Sequence, residues 1–564
     1  MHMSGSARQT QPGVNQPLFP TEPNEHNPKK VKIRRIFPTA NINRGTPVDQ
    51  HRLLPTDPKN WLSQDDVVHL LLLLLPKLDM SEFLAKYRTD GVGAAFYDPC
   101  AMLGIIIYAM ARGEQSSRKI ETLCKYDVGF HLVGNGLQPD HVTIYRFKKE
   151  FKDNFEFIFD QIARILIELG VVRFGTIAID GSKFGSMASL SSNRKYKWVQ
   201  SQLRQALDES MKKDEEENEE GLSSELAQFE LPDHLGTNQE LIAKFNRAVE
   251  VITEEQRVKA EQQQERIEQR IAEEENAGIK KPGRKLSEPQ YIPSPDEKVN
   301  LTDPESKIMK TRFGFIQGYN AQILVDENQF VLAAQLTNDQ NDQHQMIPLI
   351  EKGLNLIAST GTDEKPHTVL ADGGYCSYEA ILSEKQDGPR LLIATSKEYN
   401  ITESDAEDGA LFIVDEICRR MGENPPSIPI LCDTARFVWD FFINKSKPVT
   451  PEGGAKAVMS ARVRSTDGKK LYGKRKTMVE SVFGNMKHNR RFRGFSLKGK
   501  DACAGELFLA LACHNIIKLH LMLMKEKVKS GKTFVQGVLT AALNTCADNV
   551  QRNLSVRPPA STFA

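Results

Sequence analysis

The pattern of apolar and polar positions predicts a mixed α/β protein whose N-terminal part is all helical. From about residue 61 to 170, apolar residues recur at helical spacing and strand signals are few. Ser63, followed three residues later by Asp66, forms a capping pattern that predicts the start of the first helix. Further helices are predicted over 345–356, from Ser377, around Glu480 and over 504–524.

Five short apolar runs predict the strands of a sheet. Two of them are separated by residues 326–328 and predict a hairpin. Two others each end on an aspartate followed by glycine, Asp180 and Asp372, which places an acid at the C-terminal end of each strand. The five runs are 177–179, 313–325, 329–336, 369–371 and 391–395.

Two polar segments interrupt the predicted sheet. The first is rich in Glu, Gln, Lys and Arg over 196–285 and predicts long exposed helices, with a helical hairpin as one arrangement. The second separates the last strand from the helix around Glu480. We therefore predict a basic disordered arm (1–60), a helical domain (61–170), an interrupted α/β domain (171–195 with 300–395 and 470–525), two insertions (196–299 and 396–469) and a tail (526–564).

Composition favours a soluble protein with several domains. The chain has 564 residues, which is too long for one core, and 40% of them are hydrophobic and 26% charged. The longest apolar run, Val67 to Leu75, is too short to span a bilayer. The eight cysteines show no paired zinc spacing, so free thiols in a reducing cytoplasm are expected, although Cys418 and Cys432 could meet in space.

The charges are segregated along the chain. Lys and Arg number 74 and so do Asp and Glu, but residues 441–500 contain sixteen Lys and Arg against three acidic residues. Such a basic segment can neutralise phosphates whatever the net charge. The basic positions near the N-terminus, from Lys29 to Arg35, either contact DNA backbone or belong to a solubilising tail.

Three acids are candidates for a metal site. Asp180 and Asp372 follow predicted strands, and Glu480 lies on a predicted helix whose apolar stripe is Val479, Val482, Phe483 and Met486. Carboxylate oxygens are the ligands that Mg²⁺ prefers. Each acid also has a simpler interpretation, because Asp-Gly is a common turn dipeptide and Glu480 could form an ordinary ion pair with Lys476.

The segments TIAIDGSKF, HTVLADGGY and KRKTMVESVFGNMK resemble the DDE transposases of bacterial insertion sequences. The similarity is greatest to the branch with a tyrosine, arginine, glutamate and lysine signature. Glu480 and Lys487 match its glutamate-to-lysine spacing, whereas Tyr472 and Arg475 each stand one position early. DGSKFGSMAS and GYNAQILVD also look familial, and the resemblance extends over most of residues 60–525.

The resemblance implies an RNase H-like catalytic domain, with the two aspartates on neighbouring central strands and the glutamate on a helix alongside. It implies that Asp180 bridges two Mg²⁺ ions, with Mn²⁺ as a substitute, and that Asp372 and Glu480 each hold one. The implied partners are double-stranded DNA, as terminal inverted repeats and target, and a second copy of the chain in a homodimer. The resemblance also implies phosphate contacts by Tyr472 and Arg475. At about 100° per residue, one face of the predicted helix carries Lys476, Glu480, Gly484, Lys487 and Arg491. We therefore expect Lys487 and Arg491 to hold phosphates near the scissile bond, with Lys476 as a weaker candidate.

The segment QPDHVTIYRFKKEF is a candidate for DNA recognition. A turn with Gly134 and Gly136 precedes a short predicted helix that carries Arg146 and Lys148, as in a helix-turn-helix. The alternative is an amphipathic packing helix with a wet polar face. Asp326, Asp339, Asp342 and His344 are predicted to be turn and cap residues, and Trp439 either stacks on a flipped base or is a buried anchor.

The leading functional hypothesis is a metal-dependent DNA transposase in the bacterial cytoplasm, associated with the nucleoid. One alternative keeps the chemistry but omits strand transfer, as in a structure-selective nuclease. The other is a domesticated DNA-binding protein without catalysis. The presence of all three acids at their motif positions favours an enzyme.

Overall fold

The structure is a computed structural model that describes residues 57–87, 96–220, 233–277, 286–385, 388–395, 456, 459–460, 462–464 and 466–530. Within these ranges, the side chains of 210–220, 233–238, 273, 276–277 and 526–530 are not described. The predictions for the arm, Cys418, Cys432, Trp439 and most of the second insertion lie outside the described residues.

A six-stranded mixed sheet forms the centre of the fold. Its order is β4-β5-β1-β7-β8, and β6 pairs with the second half of β5. β1, β7 and β8 are parallel, and β5 is antiparallel to β1. The strands are β1 (Thr176–Gly185), β2 (Asn193–Lys195), β3 (Lys298–Asn300), β4 (Lys307–Thr311), β5 (Gly314–Asp326), β6 (Val331–Thr337), β7 (Thr368–Ala371) and β8 (Arg390–Ile393).

Helices surround the sheet and form the N-terminal part of the described chain. They are α1 (Val67–Leu74), α2 (Ser81–Leu84), α3 (Pro99–Ala111), α4 (Ser117–Tyr126), α5 (Val128–Val133), α6 (His141–Glu150), α7 (Phe155–Glu168), α8 (Tyr196–Glu220), α9 (Asp233–Ala277), α10 (Met346–Ala358), α11 (Tyr378–Leu382), α12 (Thr466–Gly484) and α13 (Lys500–Ser530).

Most of the predicted elements are present, with some corrections. Asp66, rather than Ser63, caps α1, because its side chain accepts a hydrogen bond from the backbone N–H of Val68 at 2.9 Å. Ser377 caps α11 by accepting from Ala380 N at 3.0 Å. The strands β2, β3 and β4 were not predicted, since their sequences are short and polar and lack an apolar run.

The first insertion contains the predicted helical hairpin. α8 and α9 pack against each other, and β2 pairs with β3 at the base of the hairpin. A small separate core holds this base together, and it includes Val199, Phe245 and Val299. Among the described side chains of α9, the charged residues Glu254, Arg257 and Glu261 are exposed.

The helical N-terminal part and the sheet share one hydrophobic core. α13 connects them, because it packs against α3 and α7 on one side and against β6 on the other. Its buried Asn515 bonds both the N–H and the C=O of Val331, at 2.8 and 2.9 Å, and so completes the backbone hydrogen bonding where β6 begins.

Lys148 belongs to this contact between the two parts. Its ammonium lies 3.7 Å from the Glu506 carboxylate, and the two side chains are 2% and 3% exposed. Lys148 also donates to the carbonyl of Gln115, and Glu506 accepts from the backbone N–H groups of Ser496 and Leu497. The expectation of an exposed, DNA-facing Lys148 is therefore corrected.

We expect Lys148→Met to destabilise the protein by about 3–5 kcal/mol, because it leaves the Glu506 carboxylate buried without its cation. Urea denaturation measures this loss. The matched control is Lys149→Met, which changes the exposed neighbour and should stay within about 0.5 kcal/mol of the parent. Equal stabilities for the two variants would contradict the assignment of a buried pair.

Candidate functional site

Asp180 lies in the middle of β1 rather than at its end. Beyond Ala178, β1 no longer pairs with β7, but it stays paired with β5 as far as Gly185. The expected strand end at Gly181 is therefore wrong, because the antiparallel partner extends the strand by five residues. What ends at this point is the parallel pairing with β7, and this opens space beside Asp180.

Asp372 occupies that space. It directly follows β7, and its side chain accepts a hydrogen bond from Gly373 N at 2.7 Å. Ala178 is the register partner of Leu370, so Asp180 and Asp372 each stand two residues beyond a paired position. The parallel register thus brings the two predicted acids side by side.

The guanidinium of Arg475 bridges the two aspartates. Its Nη1 donates to Asp180 Oδ2 at 3.1 Å, and its Nη2 lies 3.7 Å from Asp372 Oδ2. Arg475 is 6% exposed and the Asp180 side chain 20%, so this pair is largely shielded from water, whereas the Asp372 side chain is 54% exposed. Burial raises the pKa of Asp180, and the charge of Arg475 partly opposes this effect. One cation therefore stabilises two neighbouring carboxylates.

Tyr472 supports the guanidinium. The Arg475 Cζ lies 5.8 Å from the centroid of the Tyr472 ring, one helical turn earlier on α12. Burial raises the pKa of the Tyr472 hydroxyl. The two signature residues that stand one position early are thus in contact with each other, and Arg475 in addition contacts the aspartates.

Glu480 lies on α12 as predicted and is exposed at the edge of the helix. The helix packs against β1, β5 and β7 through a buried stripe that includes Val479, Val482 and Phe483. Glu480 stands five residues after Arg475, which is about 140° around the helix. The two side chains therefore leave α12 in different directions. In the described ranges, no three His, Cys, Asp or Glu side chains are grouped closely enough to hold a metal ion.

Lys487 is joined to β1 close to the acids. It lies in a π-helical turn, Asn485–Asn489, and donates to Ser182 Oγ and to the Lys183 carbonyl, both at 2.7 Å. Its ammonium lies 4.3 Å from the centroid of the Phe184 ring. Burial, followed by the charge of Arg312, lowers the Lys487 pKa to about 8.

The other basic candidates are exposed, and Arg491 does not lie on the helix face where the sequence placed it. Lys476 is exposed on α12. Arg491 is exposed as well, but it has a positive φ of 55° and lies beyond the π-helical turn. It does not continue the face of Glu480, because α12 ends at Gly484.

A polar network on the other face of the sheet was missed. Asp342 Oδ1 accepts from Asn320 Nδ2 and Gln322 Nε2, both at 2.6 Å, and the Lys183 ammonium lies 3.4 Å away. The Tyr375 hydroxyl, three residues after Asp372, donates to Gln322 Oε1. Asp342 therefore does more than cap a turn, because it holds the polar side chains behind the two aspartates in place. The sequence signal for this network was the pair Asn320 and Gln322, two residues apart in an otherwise apolar strand, which places two amides on one face of the sheet.

Gly181 makes room for this network. A Cβ at this position would lie 2.4 Å from Gln322 Nε2 and 2.9 Å from Asp342 Oδ1. Glycine after Asp180 is therefore required for packing across the sheet, whereas the sequence suggested a turn. Asp326 and Asp339 do hold turns, by accepting from Phe330 N at 2.7 Å and from Gln345 Nε2 at 2.7 Å.

Comparison with family models gives two matches. Residues 444–520, which include α12 and most of α13, match a model described as "Transposase DDE domain". Residues 57–150, which include α1 to α6, match a model described as "Transposase domain (DUF772)". The two matches support a DDE transposase of an insertion element. A comparison with curated proteins found no match, and neither did a comparison with solved structures.

The predicted recognition helix is α6. Asp140 caps it by accepting from Thr143 N at 2.6 Å, and α4 packs against both α5 and α6. Arg146 is exposed on α6, whereas Ile144 and Phe147 are buried. The helix thus both packs and presents a polar face, and its contact with DNA stays a prediction.

One helix among the described residues, Lys500–Lys525, is long and apolar enough to cross a membrane by length and composition. Most of its apolar window, 67%, is buried inside the fold. Its hydrophobic character is therefore accounted for by its central place in the core.

We expect the lowered Lys487 pKa to appear in the pH dependence of stability. The folded protein releases this proton near pH 8 and the unfolded chain near 10.5, so the unfolded state binds more protons between these values. The free energy of unfolding should therefore rise with pH across this window relative to that of Lys487→Met. Urea denaturation at a series of pH values measures the difference.

The control for this experiment is Lys476→Met, which removes an exposed lysine of the preceding helix α12. Its difference from the parent should stay flat over the same window. A flat difference for Lys487→Met as well would mean that Lys487 keeps an ordinary pKa.

Proposed function

We propose that the transposase cuts and joins DNA at the terminal inverted repeats of its element by two-metal phosphoryl transfer. The observation that carries the proposal is the pair Asp180 and Asp372 sharing one guanidinium beside a basic helix. In RNase H-like enzymes the two aspartates lie on neighbouring central strands with the glutamate on a helix alongside. The positions of β1, β7 and α12 support that assignment.

The residues fit divalent cations. Asp180 and Asp372 offer oxygen ligands. The two neighbouring carboxylates need a positive charge beside them, which Arg475 supplies in this structure. Burial disfavours the ionised form of Asp180, so a closer cation would stabilise it further. We assign Asp180 as the bridging ligand and Asp372 and Glu480 as the individual ligands.

Arg475 would leave the two aspartates when metal ions and DNA enter. Released from that pairing, its guanidinium can bind a phosphate of the DNA strand, together with Tyr472 beside it. Glu480 would then turn inward from the exposed edge of α12 to complete the ligand set. These roles assign the protein to the transposase branch with the tyrosine, arginine, glutamate and lysine signature.

When bound, the metal ions would activate water or a 3′ hydroxyl and stabilise the leaving oxygen. The chain's own residues would orient the strand. Lys487 is held by Ser182 and Lys183 on β1, close to Asp180, and would contact the phosphate near the scissile bond. Lys476 and Arg491, both exposed, would contact the flanking backbone.

Recognition of the repeats is assigned to α6, with Arg146 at its exposed face. Synapsis of two element ends requires two active sites, so we propose a homodimer in the DNA complex. Such a protein acts at the nucleoid in the cytoplasm, with Mg²⁺ as the physiological ion and Mn²⁺ as a substitute.

We expect Asp180→Asn, Asp372→Asn and Glu480→Gln each to lower DNA cleavage by at least about 100-fold, because changes around metal ligands alone cost 10–100-fold. The substrate is a supercoiled plasmid carrying the element with its native flanks, incubated with Mg²⁺ or Mn²⁺. The control Asp501→Asn changes a carboxylate that is 74% exposed on α13 and should cleave normally.

The products of the parent protein distinguish the alternatives. Nicking followed by joining supports transposition, whereas nicking without joining would identify a nuclease. Binding without nicking would identify a non-catalytic DNA-binding protein. Full activity of any of the three acid variants would refute the assigned ligand set.

We expect Arg475→Met to bind Mn²⁺ more tightly in the absence of DNA, by about 10-fold, the scale on which neighbours of a metal ligand change affinity. The physical reason is that the guanidinium and the ion compete for the same carboxylates. Electron paramagnetic resonance of free Mn²⁺ measures the binding. The control is Lys474→Met, on the same helix as Arg475. It removes the surface ion pair of Lys474 with Glu327 and should leave the Mn²⁺ affinity unchanged.

A further inference from the structure

The turn between β4 and β5 exposes two aromatic rings. Phe313 is 87% exposed and Phe315 is 61% exposed, in a sheet whose other large side chains are mostly buried. We call residues 310–315 the hairpin tip. Isolated exposed apolar side chains are common, but two rings at one projecting turn form a surface that water solvates poorly.

The tip is well ordered by its own hydrogen bonds. Thr311 Oγ1 donates to the Gly314 carbonyl at 2.9 Å and accepts from Phe313 N at 3.2 Å. Gly314 has a φ of +116°, a conformation that favours glycine. The two rings are therefore presented on a defined turn.

Cations accompany the rings. Arg312 stacks over Phe313, with its Cζ 4.6 Å from the ring centroid, and Lys310 is the cross-strand partner of Phe315. Both cations are exposed. The charge of Arg312 also contributes to the lowered Lys487 pKa, which places the tip in the electrostatic surroundings of that lysine.

The strand register relates the tip to the acids. Asp180 pairs with Ile323, and Phe315 stands eight residues before Ile323 on β5. Because side chains alternate along a strand, Phe315 continues the face that carries Asp180 and Ser182. Eight residues of strand span about 27 Å, which is less than one turn of duplex DNA at about 34 Å.

We propose that the hairpin tip binds an unpaired or unstacked DNA base, with Phe313 and Phe315 as the stacking platform and Arg312 and Lys310 on the adjoining phosphates. Aromatic rings bordered by cations suit a base joined to its phosphates. A symmetric contact between two copies of the tip would bring like charges together. The inference rests on the proposed function, since it assigns a further contact for the same DNA.

The test uses the full-length protein and two fluorescein-labelled 30-mer duplexes of one mixed sequence, one fully paired and one with a single-base bulge. We expect the parent to prefer the bulged duplex. Phe313→Ala should weaken bulged-duplex binding by about 5-fold or more, while paired-duplex binding changes less than about twofold. Phe313→Trp, which keeps a stacking face, should restore the preference.

The matched control is Ile292→Ala, which removes an apolar side chain that is 77% exposed elsewhere on the surface. It should bind both duplexes like the parent. Equal affinity of the parent for both duplexes, or unchanged bulge preference in Phe313→Ala with Phe315→Ala, would overturn the proposal. So would a change from dimer to monomer in that double variant, which would identify a protein contact instead.

Failure here is distinguishable from failure of the proposed function. If the double variant keeps its bulge preference while Asp180→Asn abolishes cleavage, the tip assignment alone is wrong. If the bulge preference depends on Phe313 but the parent never cleaves DNA, the catalytic proposal alone is wrong.

Discussion

The site depends on the pairing of Arg475 with two aspartates. Asp180 and Asp372 are neighbours because β1 and β7 are parallel and in register up to Ala178 and Leu370. Two carboxylates at this spacing repel each other, and Asp180 is in addition partly desolvated. A cation between them offsets part of that cost, so the sheet geometry and the position of α12 are energetically coupled through one guanidinium.

The same coupling explains why the helix carries so many of the candidate residues. α12 must lie against β1 for Arg475 to reach the aspartates, and the π-helical turn that follows brings Lys487 onto the next residues of the same strand. Glu480 remains at the solvent edge between these two anchors. The helix therefore holds Arg475 inward and Glu480 outward. In the proposed function, a divalent ion and a phosphate would reverse this arrangement.

Support for this arrangement comes from both faces of the sheet. On one face α12 covers Asp180 and Phe184, and on the other Gln322 connects Asp342 to Tyr375, in the turn after Asp372. The absence of a side chain at Gly181 leaves room for the Gln322 amide to reach Asp342. Farther out, α13 and the buried pair of Lys148 with Glu506 join the helical N-terminal part to the same core.

Periodicity and turn chemistry in the sequence predicted most of the helices, the five apolar strands of the sheet and the helical hairpin of the first insertion, because these are local properties of the chain. The π-helical turn that removes Arg491 from the face of Glu480, the burial of Lys148 and the extension of β1 past Gly181 depend on partners distant in sequence. Arg475 is the clearest case. Its place in the sequence indicated a basic helix, but only the tertiary structure decided that it faces two aspartates, since that requires strand register and helix packing together.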